Sequence, residues 1–201
     1  MIFLASRSPR RRELLQQIGV RFEPLLFRAG ARADADTDES VLPGEDPDAY
    51  VRRIAELKAR AAWQRVTMRH GLQRKPVLVA DTTVALGSEI LGKPADRADA
   101  ERMLTFLSGQ RHRVLTAVAI IFEGRMELVV SESHVTFGRI EPERVAAYVQ
   151  SGEPFDKAGA YAVQGRAAAF IERIEGSYTG IMGLPLYETT GLLAKFGIAV
   201  P

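Results

Sequence analysis

VLVADTTVALGSEILGKP, residues 77–94, is the stretch that predicts the architecture of this chain. Residues 77–80 are apolar and lead into Asp81, a pattern typical of a buried strand that ends in a carboxylate. A second apolar run follows a pair of threonines, and glycine and proline interrupt the rest, which favours short strands over a helix. The stretch therefore predicts a strand–turn–strand unit with Asp81 at a strand end and Lys93 at the closing turn.

The bulk composition limits the class of protein. The chain has 201 residues, of which 46% are apolar and 26% charged, so it suits one domain, residues 1–201, or two small lobes. A net charge of +2 argues against a general nucleic-acid coat, and the lack of cysteine excludes disulfides and thiolate metal sites. The sequence has no apolar run of membrane-spanning length and no secretory signal pattern. We expect a soluble, cytoplasmic protein that binds neither nucleic acid nor membrane.

Outward from the central stretch, apolar spacing predicts strands and helices that alternate, and hence an α/β fold. The predicted strands cover residues 2–5, 22–27, 114–122, 126–137 and 167–174. One predicted helix runs from Pro9 to just before Gly19. A second starts at Asp96 or Asp99 and ends at residue 107. Three more cover residues 48–70, 141–150 and 186–196. Loops are expected over residues 28–47 and 176–185. Two glycines in FDKAGAYAVQG, residues 155–165, predict that this backbone approaches a neighbour closely.

A short polar loop and a helix start follow the first strand, in SRSPRRR, residues 6–12. Ser8 is the expected helix cap, and Pro9 suits the first turn because its missing N–H is not needed there. Such a helix start binds anions through unpaired N–H groups and the helix dipole. Arg10 and Arg11 oppose that dipole, and a bound phosphate would account for them. The alternative is a solvated basic face.

The catalytic motifs of several enzyme classes are absent from the sequence. It contains no G-x-S-x-G elbow, no glycine-rich phosphate loop and no histidine-rich metal pattern. Phosphate recognition by Arg10, Arg11, Lys58 and Lys93, with Asp81 as the working carboxylate, is the coherent hypothesis that remains. A polyphosphate and a carboxylate repel each other, so this hypothesis requires a divalent cation, Mg²⁺ or Mn²⁺. The alternative is that these are surface lysines and arginines and a turn aspartate.

Six blocks of sequence occur in a familiar order: SRSPRRRELL, VADTTV, GKP, SGQRHRVLTAV, KAGAYAVQG and GSYTGIMGLPLYET. Together they resemble the Maf family of nucleoside triphosphate pyrophosphatases, from Leu4 to about Phe196. The resemblance implies a mixed, elongated and twisted sheet flanked by helices, with two lobes and a central cleft, as in Maf and ITPase-like proteins. It also implies a homodimer. KAGAYAVQG and the threonine after Asp81 resemble the branch that cleaves dTTP and UTP, rather than the branch that acts on 7-methyl-GTP.

The resemblance implies catalytic roles at individual positions. Asp81 matches the family's proton acceptor, which activates water, and is also the expected metal ligand. Lys58 matches the lysine of the R-x-A-x-x-K-A helix, and Lys93 matches that of the G-K-P turn. Arg10 and Arg11 match the SPRR arginines that hold phosphate.

Other matched positions concern the substrate. Ser8 belongs to the phosphate-binding motif and is assigned to substrate binding. Arg11, Thr82 and Gln164 match positions associated with base choice in the pyrimidine branch. Gln164 suits that role, because an amide offers a donor and an acceptor to the O4/N3–H edge of thymine or uracil.

Two departures from the family pattern affect the expected site. Arg7 replaces a glycine between two serines, so its side chain either points away from the phosphates or adds a contact to them. The family's acidic residue, eight or nine positions beyond the phenylalanine, falls here on Gly30 and Ala31. Asp34 or Asp36 is the expected substitute near the metal.

The sequence thus predicts hydrolysis of the α–β phosphoanhydride of dTTP, UTP or a modified pyrimidine relative. The products are the nucleoside monophosphate and pyrophosphate. The alternative from another class is a non-catalytic nucleotide sensor that acts in division arrest through partner binding and does not need Asp81. A third possibility is similar chemistry with a preference for purines, against which the glutamine after KAGAY argues.

Overall fold

The structure is a computed structural model that describes residues 1–25, 38–69, 71 and 73–200. Its strands are β1 Ile2–Leu4, β2 Phe22–Pro24, β3 Val77–Leu86, β4 Glu89–Leu91, β5 Arg111–Phe122, β6 Arg125–Phe137 and β7 Ile171–Glu175. Its helices are α1 Pro9–Gln17, α2 Pro47–Met68, α3 Arg97–Leu107, α4 Pro142–Gln150, α5 Tyr178–Met182 and α6 Leu186–Lys195. The predicted α/β class with helices flanking a mixed sheet is confirmed.

The sheet runs in the order β2-β1-β3-β5-β6-β7, with β4 paired to β3 outside this path. β1 is parallel to β2 and β3, whereas β3, β5, β6 and β7 pair antiparallel. β1 ends at Leu4, opposite Leu78, and β4 pairs with β3 only from Val84 onward. Between these two contacts, no strand of the described residues pairs with this edge of β3, and the candidate site lies there.

The prediction that Asp81 ends a strand is wrong. β3 continues through it for ten residues, and Asp81 pairs with Ala117 in the middle of the sheet. Thr82 and Thr83 remain in the strand because their backbones pair with β5, and the Thr82 hydroxyl is also hydrogen-bonded to Thr116 inside the fold. The predicted turn and short returning strand, β4, are confirmed.

Successive β3 side chains face opposite layers of helices. Leu78 and Ala80 pack with apolar residues of α1 and α6, and Val77 and Val79 pack with α2. A further buried cluster surrounds the other end of the sheet, beneath α3 and α4. Asp81 consequently faces α2, and its neighbour Thr82 faces α1.

Several predicted boundaries change. The strand predicted over residues 167–174 is β7, which starts at Ile171 after a short 3₁₀ turn over Arg166–Phe170. The predicted loop over residues 176–185 contains α5, which Ser177 caps by accepting from the Gly180 N–H. β2 covers the start of the strand predicted over residues 22–27, of which 26 and 27 lie outside the described residues. Among the helices that the structure describes, none has the length and hydropathy of a membrane span.

Candidate active site

A cavity of about 700 Å³ lies along the uncovered edge of β3. The loop after β1, the start of α1, the middle of α2, the turn after β4 and the segment after α4 all contribute to its walls. The eight residues predicted for catalysis and substrate binding all line it: Ser8, Arg10, Arg11, Lys58, Asp81, Thr82, Lys93 and Gln164. The structure thus brings together side chains that lie more than 150 positions apart in the chain, while their individual roles stay predictions.

Asp81 and Lys58 form the centre of the cavity wall on the α2 side. Asp81 is buried, with a side chain that is 11% exposed, and its Oδ1 lies 2.7 Å from the Lys58 ammonium. The same ammonium lies 2.8 Å from Oε1 of Glu39, which also lines the cavity. Two carboxylates therefore converge on one lysine within the site.

Glu39 is the site residue that the sequence analysis did not single out. The substitutes expected for the family's acidic residue, Asp34 and Asp36, and the departures at Gly30 and Ala31 all lie outside the described residues. Glu39 belongs to the same acidic segment, which indicated that a carboxylate was available there. No periodic pattern marks which member of such a segment folds back onto α2.

The Arg11 guanidinium makes most of its hydrogen bonds to acceptors within the protein. Its guanidinium donates to Gly183 O at 2.7 Å, to Ala80 O at 2.6 Å and to Ser6 Oγ at 3.4 Å. A fourth bond, 3.1 Å long, goes to Thr82 Oγ1, so at most one of five guanidinium donors is left for a ligand. Burial lowers the pKa of Arg11, an effect that nearby Asp81 partly offsets. Arg11 takes the place of a neighbouring strand at the exposed β3 edge.

The hydroxyl of Thr82 has a defined hydrogen-bond direction. Thr116 Oγ1 lies 2.8 Å from the carbonyl of Gly180, which can only accept, so the Thr116 proton is committed to that bond. Thr82 Oγ1, 3.0 Å from Thr116 Oγ1, must then donate to it. Because Arg11 also donates to Thr82, the one remaining position on this oxygen can only accept a hydrogen bond from a ligand.

Three other cations of the cavity are available. The side chains of Arg7, Arg10 and Lys93 line it and make no ion pair or hydrogen bond with any residue that the structure describes. Ser8 stands at the N-cap of α1, but its side chain makes no capping hydrogen bond, so the predicted cap bond is wrong. Its hydroxyl is consequently also available to a bound anion.

The opposite wall is the segment FDKAGAYAVQG, whose predicted close approach is confirmed at Gly159. This residue has φ +67°, and a Cβ there would lie 2.9 Å from Val84. Beneath it, Tyr161 OH lies 2.9 Å from Nε2 of His112, a buried imidazole whose pKa burial lowers to about 4. The neutral, packed pair of Tyr161 and His112 therefore supports this wall of the cavity. Gln164 lies on the same wall and is exposed.

The donor set fits a hard divalent cation. Asp81 and Glu39 offer only oxygen, and the single Lys58 ammonium between them balances only one of their two negative charges. Within the described part of the chain, no three histidine, aspartate, glutamate or cysteine side chains are grouped to hold a metal alone. Mg²⁺ is commonly bound by one or two carboxylates and completed by substrate phosphates and water. The two carboxylates and a polyphosphate would supply such a ligand set.

A mixed α/β fold with two carboxylates on one lysine, in a cavity that also holds cations without a described partner, is an arrangement suited to phosphorylated ligands. The chain belongs to the Maf family, whose profile, described as Maf-like protein, matches residues 1–196.

Three relatives show how closely the chain follows that family. A Dechloromonas aromatica protein named dTTP/UTP pyrophosphatase is 56% identical over 196 residues, which cover 98% of this chain and 97% of the relative. A Ralstonia nicotianae protein of the same name is 56% identical over 99% of this chain and 95% of its own length. One from Cupriavidus pinatubonensis, also so named, is 57% identical over 96% of each chain.

Proposed function

We propose that this protein hydrolyses the α–β phosphoanhydride of dTTP and UTP, releasing the nucleoside monophosphate and pyrophosphate. The observation that carries this function is the buried Asp81 carboxylate, held by Lys58 inside a cavity that also contains unengaged cations. The names of the full-length relatives support the same reaction. A sensor without catalysis would have no need of a carboxylate placed among phosphate-binding groups.

In the proposed reaction, water attacks the α-phosphorus and Asp81 accepts the proton that the water loses. The new P–O bond forms as the bond from the α-phosphorus to the bridging oxygen breaks, and pyrophosphate leaves with that electron pair. Arg10 and Lys93, joined by Arg7, neutralise negative charge on the phosphates. Lys58 holds Asp81 and Glu39 in place. A bound Mg²⁺ or Mn²⁺, held by these two carboxylates, would polarise the phosphate oxygens.

Base selection follows from two groups with different hydrogen-bond capacities. Gln164 offers a donor and an acceptor, and Thr82 can only accept. Thymine and uracil present an N3–H donor beside the O4 acceptor, whereas cytosine has an acceptor at N3. A pyrimidine that presents its N3 position to Thr82 is therefore accepted if it carries N3–H and is opposed if N3 is an acceptor, as in cytosine.

The experiment that tests this function is a substrate panel. The purified protein is incubated with dTTP, UTP, CTP, ATP and GTP and either Mg²⁺ or Mn²⁺, and pyrophosphate and orthophosphate are assayed separately. We expect pyrophosphate from dTTP and UTP, with kcat/KM at least roughly tenfold above CTP, the equivalent of one hydrogen bond of about 1.4 kcal/mol. Orthophosphate as the primary product, or equal turnover of all five nucleotides, would contradict the proposal.

We also propose that the protein depends on a divalent metal, acts on free nucleotides rather than on nucleic acid or membranes, forms a homodimer and is located in the cytoplasm. Metal dependence is supported by the oxygen-only pair of Asp81 and Glu39. The low net charge of +2 supports a small-molecule substrate.

A further inference from the structure

The segment that precedes α2 is fastened to that helix by a set of contacts that lies next to the active site. We name it the α2 clamp: Tyr50 and Arg53 of α2, Glu45, and the backbone carbonyls of Glu39 and Ser40. Tyr50 OH donates to Glu39 O at 3.0 Å, and Arg53 donates to Ser40 O at 2.9 Å. The clamp thus holds the two peptide units at and after Glu39.

Arg53 is itself fixed from two sides. Its guanidinium donates to both oxygens of Glu45, at 2.6 and 2.7 Å, and lies 5.6 Å from the ring centre of Tyr50. Glu45 also accepts from the backbone N–H of Leu42 at 3.0 Å, and the hydrogen bond from Arg53 lowers the pKa of its carboxyl. A bidentate arginine–carboxylate pair has a defined geometry, which a lysine does not reproduce.

The geometry of α2 connects the clamp to the catalytic centre. Tyr50 and Lys58 are eight positions apart, which places both on one side of the helix, and both line the cavity. Tyr50 holds the backbone of Glu39, while Lys58 binds its carboxylate at 2.8 Å. The side chain of Glu39 is 49% exposed, so among the described residues these contacts are what directs it toward Asp81.

We propose that Tyr50 and Arg53 are positioning residues that bring Glu39 into the active site, where it forms the divalent-metal site with Asp81. The inference rests on the proposed function for the identity of the metal. Without the clamp, the Glu39 carboxylate would sample solvent and only Asp81 would remain in place. Loss of partners that orient metal ligands typically costs 10- to 100-fold in metal affinity.

The test compares wild type with Arg53→Gln, Arg53→Lys and Tyr50→Phe, and uses Arg52→Gln as the matched control. Arg52 is adjacent on α2 and loses the same charge, but its partner is the exposed Asp48 one helical turn away. Mn²⁺ affinity is measured by electron paramagnetic resonance in the presence of a UTP analogue whose α–β bridge cannot be hydrolysed, with the analogue alone as the reference. Hydrogen exchange is measured on the peptide that contains Leu42.

We expect Arg53→Gln to weaken Mn²⁺ binding roughly tenfold or more and to accelerate exchange at Leu42, with Arg53→Lys in between and Arg52→Gln near wild type. Tyr50→Phe should weaken Mn²⁺ binding in the same direction. A lower melting temperature for Arg53→Gln with unchanged Mn²⁺ affinity and exchange would show a purely structural role and overturn the clamp. If wild type with the analogue binds no more Mn²⁺ than the analogue alone, the proposed metal fails, and the exchange rates alone decide whether Arg53 holds the segment.

Discussion

Asp81→Asn is expected to lower kcat by about 10²- to 10⁴-fold, the usual size for a lost general base. The substitution keeps the shape of the side chain but removes the group that accepts the proton of the attacking water. Lys58 retains Glu39 as a partner, 2.8 Å away, so the ammonium is not left unpaired in the cavity wall. We therefore expect a large loss of turnover with UTP and only a small change in the melting temperature.

Asp156→Asn is the control for this experiment. Asp156 also lines the cavity, but its side chain is 67% exposed and pairs with Lys157 rather than Lys58. Its φ of 75° lies in the left-handed region, which asparagine adopts readily. We expect this variant to stay within a few-fold of wild type. Near-normal turnover of Asp81→Asn, or an equal loss in both variants, would remove Asp81 from the chemistry.

Arg11→Ala is expected to lower stability and Arg10→Ala to raise the KM, although the two arginines are neighbours in one motif. Removal of the Arg11 guanidinium leaves the carbonyls of Ala80 and Gly183 without the donors at 2.6 and 2.7 Å. We expect a loss of about 2–4 kcal/mol in unfolding free energy, since each unsatisfied buried group costs about 1–3 kcal/mol. For a chain of this size, that loss corresponds to a melting temperature lower by roughly 5–15 °C.

Arg10→Ala should instead fold with nearly wild-type stability and show a raised KM for UTP, because the Arg10 side chain makes no hydrogen bond or ion pair with the described residues that its loss would break. Thermal unfolding and steady-state kinetics of the two variants provide the comparison. An unstable Arg10 variant, beside a stable Arg11 variant with only a raised KM, would contradict the assignment of Arg11 to the β3 edge.

The sequence predicted most of the sheet and helices, because their apolar periodicity follows the layers in which they lie. It failed at Asp81, where polar residues signalled a strand end although β3 continues. Thr82 is polar, yet its hydroxyl is hydrogen-bonded to a residue far along the chain, Thr116. Local polarity cannot distinguish a solvated turn from a strand whose polar groups find distant partners.

The sequence predicted residues that line the candidate site, but not which of them are engaged by contacts within the protein. Arg10 and Arg11 are equivalent in sequence, and only the acceptors on Ala80 and Gly183 show which of them is engaged. Glu39 is held through its own carbonyl and that of Ser40. Backbone acceptors carry no side-chain signature, so no motif could have indicated that this segment returns to the active site.

The central claim is that water activated beside Asp81 attacks the α-phosphorus. The most direct measurement is UTP hydrolysis in water enriched in the heavy isotope of oxygen, with mass spectrometry of both products. We predict that the label appears in UMP and that pyrophosphate is unlabelled. Label in pyrophosphate, with unlabelled UMP, would place the attack on the β-phosphorus and contradict the mechanism.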